Sequence, residues 1–202
     1  MHYSEKPPTL AIRMCFLGID PGENGGAAAV DINGGYMGSV RWGRNKPPHI
    51  LDWLGSLAVR VCYIEKIEIF RQMPRNVILN MQGLLVNAGM WHGFLLCLGI
   101  PYREVRPQEW QAYHQLKAWK RGRDRLKAIR QDNAEVQAVL DQAILEGTPL
   151  GKARRRWPDA PLPSLADDGV AVGLLLADMA RKQAQELQQG AIAYEFRQGR
   201  KR

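Results

Sequence analysis

Residues 14–30 read MCFLGIDPGENGGAAAV. An apolar run of strand length stops at Asp20, a turn follows through Pro21 and Gly22, and a second apolar run resumes after Gly25 and Gly26. Aspartate is depleted from strands, because its short side chain competes for backbone hydrogen bonds and its charge is costly to bury. Asp20 therefore has two readings. It opens the turn, as Asp before Pro-Gly ordinarily does, or it is held at a strand tip for chemistry.

Outward from that stretch, Asn33-Gly34 gives a hairpin signal between Gly26–Asp31 and Tyr36–Arg41, so the first three strands form a meander. Pro47-Pro48 opens HILDWLGSLAVR, in which Ile50, Leu51, Trp53, Leu54, Leu57 and Ala58 recur at helical spacing. VCYIE then reads as a fourth strand closed by Glu65. Residues 76–99 carry Val77, Met81, Leu84, Leu85, Ala88, Trp91, Leu95 and Leu98 on one face of a long helix. Gly83, Gly89 and Gly93 weaken that helix but suit close approach to a sheet. IPYREV is a fifth strand, and PQEWQAYHQL is a helix begun at a proline.

From Lys117 the character changes. LKAWKRGRDRLKAIR holds seven basic residues against the single acid Asp124, with Trp119 interleaved, and residues 133–146 follow as a helix of mixed polarity. GKARRRWPDAPLPSL reads as a basic, proline-rich loop. The last strong element is ADDGVAVGLLLADMARKQAQELQQ, with Asp167 and Asp168 in its first turn and Arg181 and Lys182 beyond the apolar stretch, the polarity a helix dipole favours. The ending FRQGRKR reads as a frayed basic tail.

A chain of 202 residues with 46% hydrophobic content suits one domain, residues 14–189, with an N-terminal extension at 1–13 and a basic tail at 190–202. The balance of 28 Lys and Arg against 20 Asp and Glu leaves +8, which argues for a polyanionic partner, nucleic acid first. Cys15, Cys62 and Cys97 lie in apolar surroundings without Cys-x-x-Cys or paired His spacing, so they read as core thiols rather than metal ligands. The start MHYSEKPP lacks a signal layout, and GFLLCLGI and GVAVGLLLA are too short to span a bilayer. The expectation is a soluble intracellular protein with no membrane partner.

Strand, strand, strand, helix, strand, helix, strand, helix describes an α/β layer architecture with a mixed sheet. If the first and fourth strands are parallel neighbours, Asp20 and Glu65 emerge at the same carboxyl edge, where open α/β sheets place their sites. A third carboxylate can come from Asp168. Clustered carboxylates repel unless a cation sits among them, and hard Mg²⁺ with oxygen ligands suits them. Two such ions can activate a water and stabilise the leaving oxygen of a phosphodiester. The plainer readings stay open: Glu65 as a solvated strand end, and Asp167 with Asp168 as helix capping.

In order and spacing, FLGIDPGENGGAAAV, YIEK followed by a long helix, GIPYREVRPQEW, and ADDGVAVGLLLA resemble the RuvC-type Holliday-junction resolvases, particularly phage-encoded ones, of the RNase H-like superfamily. The resemblance runs from residue 14 to residue 182 and is weakest through 117–164. It implies an RNase H-like mixed five-stranded sheet flanked by helices, with a basic helical insertion at 117–164. It implies a Mg²⁺-dependent crossover junction endodeoxyribonuclease, Mn²⁺ able to substitute, that acts as a homodimer on four-way or branched DNA in the cytoplasm of a bacterial or phage-infected cell. Asp20, Glu65 and Asp168 then take the family's carboxylate positions as metal ligands.

Two departures stand out. The family often has a further acid or histidine three residues before the last aspartate; here that position is Leu165, while Asp167 adjoins Asp168 and points about 100° away on a helix. Asp167 is thus a candidate for the catalytic set only with local rearrangement. The family also tends to place an aromatic shortly after the second acid; here Glu68 is the nearest counterpart, with Phe70 two further on. Phe70 reads as a base-stacking wedge or as a core residue. Trp119 amid Lys117, Lys120, Arg121 and Arg123 suits a nucleic-acid groove, or else marks a solvated basic helix. His92 and His114 read as hydrogen-bonded core or boundary residues.

Two other functions fit parts of the pattern. Gly-Ile-Asp-x-Gly before a second strand also resembles the phosphate-binding hairpin of actin-like ATPases and sugar kinases, but that class clamps a nucleotide between two such domains and this length holds one. A non-catalytic branched-DNA-binding protein is the alternative from another class, kept open by Leu165.

Overall fold

The computed structural model describes residues 14–22, 25–43, 47–69, 74, 78, 81–116, 148–162 and 168–199, the side chains of 168 and 192–199 excepted. The sheet contains β1 (Met14–Asp20), β2 (Gly26–Asp31), β3 (Tyr36–Arg41), β4 (Ala58–Glu65) and β5 (Tyr102–Val105). The described helices are α1 (Pro47–Gly55), α2 (Gln82–Cys97), α3 (Pro107–Tyr113), α4 (Pro149–Arg156) and α5 (Asp168–Gly199).

Strand order is β3-β2-β1-β4-β5. The meander supplies two antiparallel ladders, and the crossovers through α1 and α2 add β4 and β5 in parallel to β1. The fold is RNase H-like. Side chains alternate between the faces of a strand, so the sheet carries two cores. Cys15, Leu17, Ile19, Cys62 and Ile64 pack with Ile50, Leu54, Trp91 and Leu95 of α1 and α2. Phe16, Ala28, Val30, Tyr63 and Val105 pack on the other face with α5, Trp110 of α3, and Leu150 and Ala153 of α4.

Helix α5 is buried continuously from Gly169 to Arg181, because the sheet covers one side and α3 and α4 cover the other. Its contact with β1 depends on two glycines. A Cβ on Gly18 would fall 1.9 Å from the Gly173 carbonyl oxygen and 2.5 Å from the Ala177 amide nitrogen. The glycines expected to bring the long helix onto the sheet do not serve that purpose: a Cβ on Gly83, Gly89 or Gly93 would meet nothing within 4 Å. Close approach occurs at the last helix, whose apolar run gave no such hint.

Three further expectations change. The ending read as a frayed tail is helical as far as Gly199, continuing α5. The helical spacing through Ala58 overruns α1, which ends at Gly55; Ala58 and Val59 pair with Met14 and Cys15 of β1, so β4 begins there and not at Val61. The basic stretch beginning at Gly151 is not a loop at its start. Thr148 caps α4 by accepting from the Gly151 amide at 3.0 Å, Pro149 fills the first turn, and the helix continues to Arg156. Three of its basic residues bond to the protein's own groups: Lys152 Nζ donates to the His114 carbonyl, Arg154 Nε to that of Leu162 at 2.9 Å, and Arg156 Nη2 to Asp178 Oδ1 at 2.8 Å.

Cys15 and Cys62 are core thiols as expected, and burial pushes Cys15 up to about 11 and Cys62 well above the ordinary thiol range. Cys97 is exposed. Among the described residues no helix is long and apolar enough to cross a membrane.

Candidate functional site

Asp20 and Glu65 end neighbouring parallel strands. Ile19 pairs with Ile64, and the two acids are the next residue on each strand. By alternation Asp20 lies on the face of Phe16 and Gly18, and Glu65 on that of Val61 and Tyr63, which is the α5 face. Both residues are half-buried, at the rim rather than in the core.

The start of α5 is brought to the same place. Gly26 is the register partner of Asp20, and a Cβ added to Gly26 would stand 3.0 Å from Val170 Cγ2. One turn later, a Cβ on Gly173 would stand 2.9 Å from the Gly18 carbonyl oxygen. Asp168, the first residue of α5, therefore begins the helix at the rim that carries Asp20 and Glu65. The helix runs away from this rim, reaching the β2–β3 turn where Arg181 approaches Gly34. Its N-terminal dipole end is thus directed toward the acids.

Asp20 Oδ1 accepts a hydrogen bond from the Gly22 amide at 2.9 Å, so Asp20 does open the turn, and the two readings of this residue are compatible. The bond fixes the carboxylate against the turn backbone. The donors brought together are carboxylate oxygens, the set that hard divalent cations prefer. Among the described residues no group of three or more His, Cys, Asp and Glu is placed to hold a metal ion; the described side chains here are the pair Asp20 and Glu65. Asp167, Phe70, Lys117, Trp119, Lys120, Arg121 and Arg123 lie outside the described residues.

Two basic residues at this rim escaped the sequence reading. Arg41 ends β3 as the register partner of Gly26, which places it on the strand row that contains Asp20. Arg106 follows β5, one residue beyond the Val105 that pairs with Glu65. Neither belongs to a charge run, and a single Arg at a strand end carries no local signal; only the sheet order collects them. His114 is the core histidine expected, with Nε2 2.8 Å from the Leu175 carbonyl oxygen. His92 sits at the boundary, with Nε2 3.4 Å from Glu104 Oε1 and its ring against Tyr102.

No family model matches the chain, and no curated protein does. Solved structures similar to it include Thermus thermophilus RuvC in complex with a Holliday junction substrate, at 15% identity and TM-score 0.44, covering 81% of this chain and 89% of that one. Another is Thermus thermophilus RuvC alone, at 18% identity and TM-score 0.42, covering 84% and 96%.

Proposed function

We propose that this chain is a divalent-metal-dependent endonuclease that cleaves phosphodiesters in branched DNA, with Asp20, Glu65 and Asp168 as its carboxylate set. The observation that carries the reading is the convergence of Asp20 and Glu65, from adjacent parallel strands, on the face and rim where α5 begins at Asp168. Two carboxylates converging from adjacent strand tips repel at close range, and a bound divalent cation offsets that repulsion. Mg²⁺ is the natural occupant, with Mn²⁺ able to replace it; bound there, the metal supplies Lewis acidity and neutralises charge on a phosphodiester. The chain's part is positional. The Gly22 amide holds the Asp20 carboxylate, the β1–β4 register sets Glu65 beside it, and the Gly18–Gly173 contact fixes the start of α5 against both.

The basic balance of the chain and the basic segment at 117–123 support a DNA backbone as the substrate. A four-way junction is the form favoured by the sequence resemblance. Paired cuts across a two-fold junction call for two sites, and the exposed Leu85, Val86 and Leu96 of α2 offer an apolar surface for a homodimer. Sedimentation should then give a dimer for the chain and a monomer after Val86→Lys with Leu96→Lys.

Magnesium-dependent nicking of a synthetic four-way junction tests the reading. Asp20→Asn, Glu65→Gln and Asp168→Asn should each reduce cleavage by a factor of about 1,000 or more while junction binding in chelator stays near wild type, because they remove ligands and not phosphate contacts. Asp167→Asn should do less harm; equal damage would make Asp167 a fourth ligand. Zn²⁺ should not be required, since no Cys or His is placed in the set. Full activity in Asp168→Asn would move the site elsewhere, and junction binding without nicking under any divalent metal would favour a non-catalytic binding protein.

A further inference from the structure

Beyond the acids, the carboxyl ends of β4 and β5 lead into a surface cleft of about 630 Å³ lined by Glu68, Arg106, Gln108 and Glu109. Arg106 is one residue past the register partner of Glu65, so its backbone lies roughly 6 Å from that of Glu65, one strand spacing and one residue step away. The cleft and the carboxylate rim are therefore within reach of one DNA strand.

Both carboxylates of the cleft are paired with arginines, but the two pairs differ in kind. Glu109 Oε1 accepts from Arg103 Nη2 at 2.5 Å, and Arg103 also donates to Gln183 at 3.2 Å and lies over the Tyr63 ring, so it ties β5 to α3 and α5. Arg106 has no such net among the described residues. Its Nε stands 3.1 Å from Glu68 Oε1, and its side chain is 66% exposed against 21% for Glu68. It is also the N-cap residue of α3, extended at φ −67° and ψ 146° before Pro107, so its backbone is fixed while its side chain reaches the cleft. A guanidinium has five donors, and a single carboxylate does not use them all.

We propose that Arg106 is a backbone-phosphate contact beside the carboxylate rim and that Glu68 is its built-in competitor. This rests on the nuclease reading above. In the free protein Glu68 holds the guanidinium and cancels its charge; a phosphodiester, which arginine binds bidentately, takes its place. The exchange weakens the neutralisation of a half-buried acid, so Glu68 lowers affinity for every DNA while Arg106 raises it. Glu68 stands close to the position where the resemblance leads one to expect an aromatic. A carboxylate there, unlike a ring, makes strand entry depend on charge.

The test is equilibrium binding of the full chain, in chelator, to a labelled four-way junction and to a matched duplex between 50 and 200 mM salt. Arg106→Ala should reduce the log-log salt slope by about 0.9 on both substrates. Glu68→Gln should tighten binding by about threefold, and the double variant should match Arg106→Ala, since a competitor has no effect once its target is gone. Arg106→Lys should keep most of the salt slope, which separates lost charge from lost fold. An Arg106→Ala variant with wild-type slope and affinity, or weaker binding by Glu68→Gln, would overturn the assignment while leaving the nuclease reading intact. A wild-type chain that binds neither DNA at 50 mM salt would overturn both.

Discussion

His114 shows how burial sets the chemistry of a single residue. It is enclosed between α3 and α5, its Nε2 lies 2.8 Å from the Leu175 carbonyl, and burial pushes its imidazole down to about 4. The ring is therefore neutral near pH 7 and donates from Nε2. In the unfolded chain the same ring titrates near 6.5. Below that value the unfolded state takes up a proton that the folded state refuses until pH falls to about 4. Stability from this residue is thus complete above pH 6.5 and lost progressively down to pH 4, a decline of about 3 kcal/mol. Urea denaturation at pH 7 and pH 4.5 should show that decline, and His114→Gln should show a shallower one. Asp178 represents the other solution to burial: its side chain is about 1% exposed and is tolerated because Arg156 and Arg181 donate to Oδ1 at 2.8 and 3.0 Å, with Lys182 3.4 Å from Oδ2.

At the scale of elements, α5 is the member on which both the core and the candidate site depend. Its first turn fixes the position of Asp168, its first half from Val170 to Ala180 is the α5-side core, and Arg181 and Gln185, midway along it, reach the Ile32 carbonyl. The contact that sets its height above the sheet is the glycine pair Gly18 and Gly173. Gly18→Ala puts a methyl group inside backbone atoms that no side-chain rotation can clear, so it should destabilise the fold by about 3 kcal/mol or more, read from the urea midpoint. Because the same contact sets α5 against β1, residual cleavage by the folded fraction should fall as well. Gly89→Ala, which meets open space on α2, should instead be neutral or slightly stabilising. A Gly18→Ala midpoint no lower than that of Gly89→Ala would show that β1 and α5 do not depend on this contact.

For the whole molecule the relevant quantity is charge. On the nuclease reading proposed above, the carboxylate rim holds a polyanion near acids, and the excess of eight positive charges supplies the attraction. Lys152, Arg154 and Arg156 already bond to the protein's own carbonyls and to Asp178, which leaves the 117–123 segment as the stronger candidate for DNA contact. Neutralising Lys117, Lys120, Arg121 and Arg123 together should weaken binding to duplex and junction alike and flatten the salt slope by roughly 3 to 4 units. Trp119→Ala should cost about 1 to 3 kcal/mol on a junction and little on a duplex if its ring stacks on an unpaired base. Equal losses on the two substrates would assign Trp119 to packing.

Local pattern determined the elements and nominated the acids. The run ending at Asp20, the Asn33-Gly34 turn, the strand closing at Glu65 and the apolar stretch after Asp168 are each set by interactions within a few residues, and each is found where its sequence placed it. Where neighbouring signals overlapped, pattern failed: Leu57 and Ala58 continue a helical spacing, yet pairing with β1 draws Ala58 into a strand, because ladder hydrogen bonds with a distant segment outweigh a weak propensity. Helix α4 was hidden for a related reason, since its apolar contacts come from α5, far away in the chain, and its basic surface reads locally as loop. Only tertiary structure decided which glycines meet, that Arg41 and Arg106 belong to the rim of Asp20 and Glu65, and that Glu68 faces an arginine. Those relations join residues far apart in the chain through strand order and register, and no period or spacing in a sequence encodes which strand will be the neighbour.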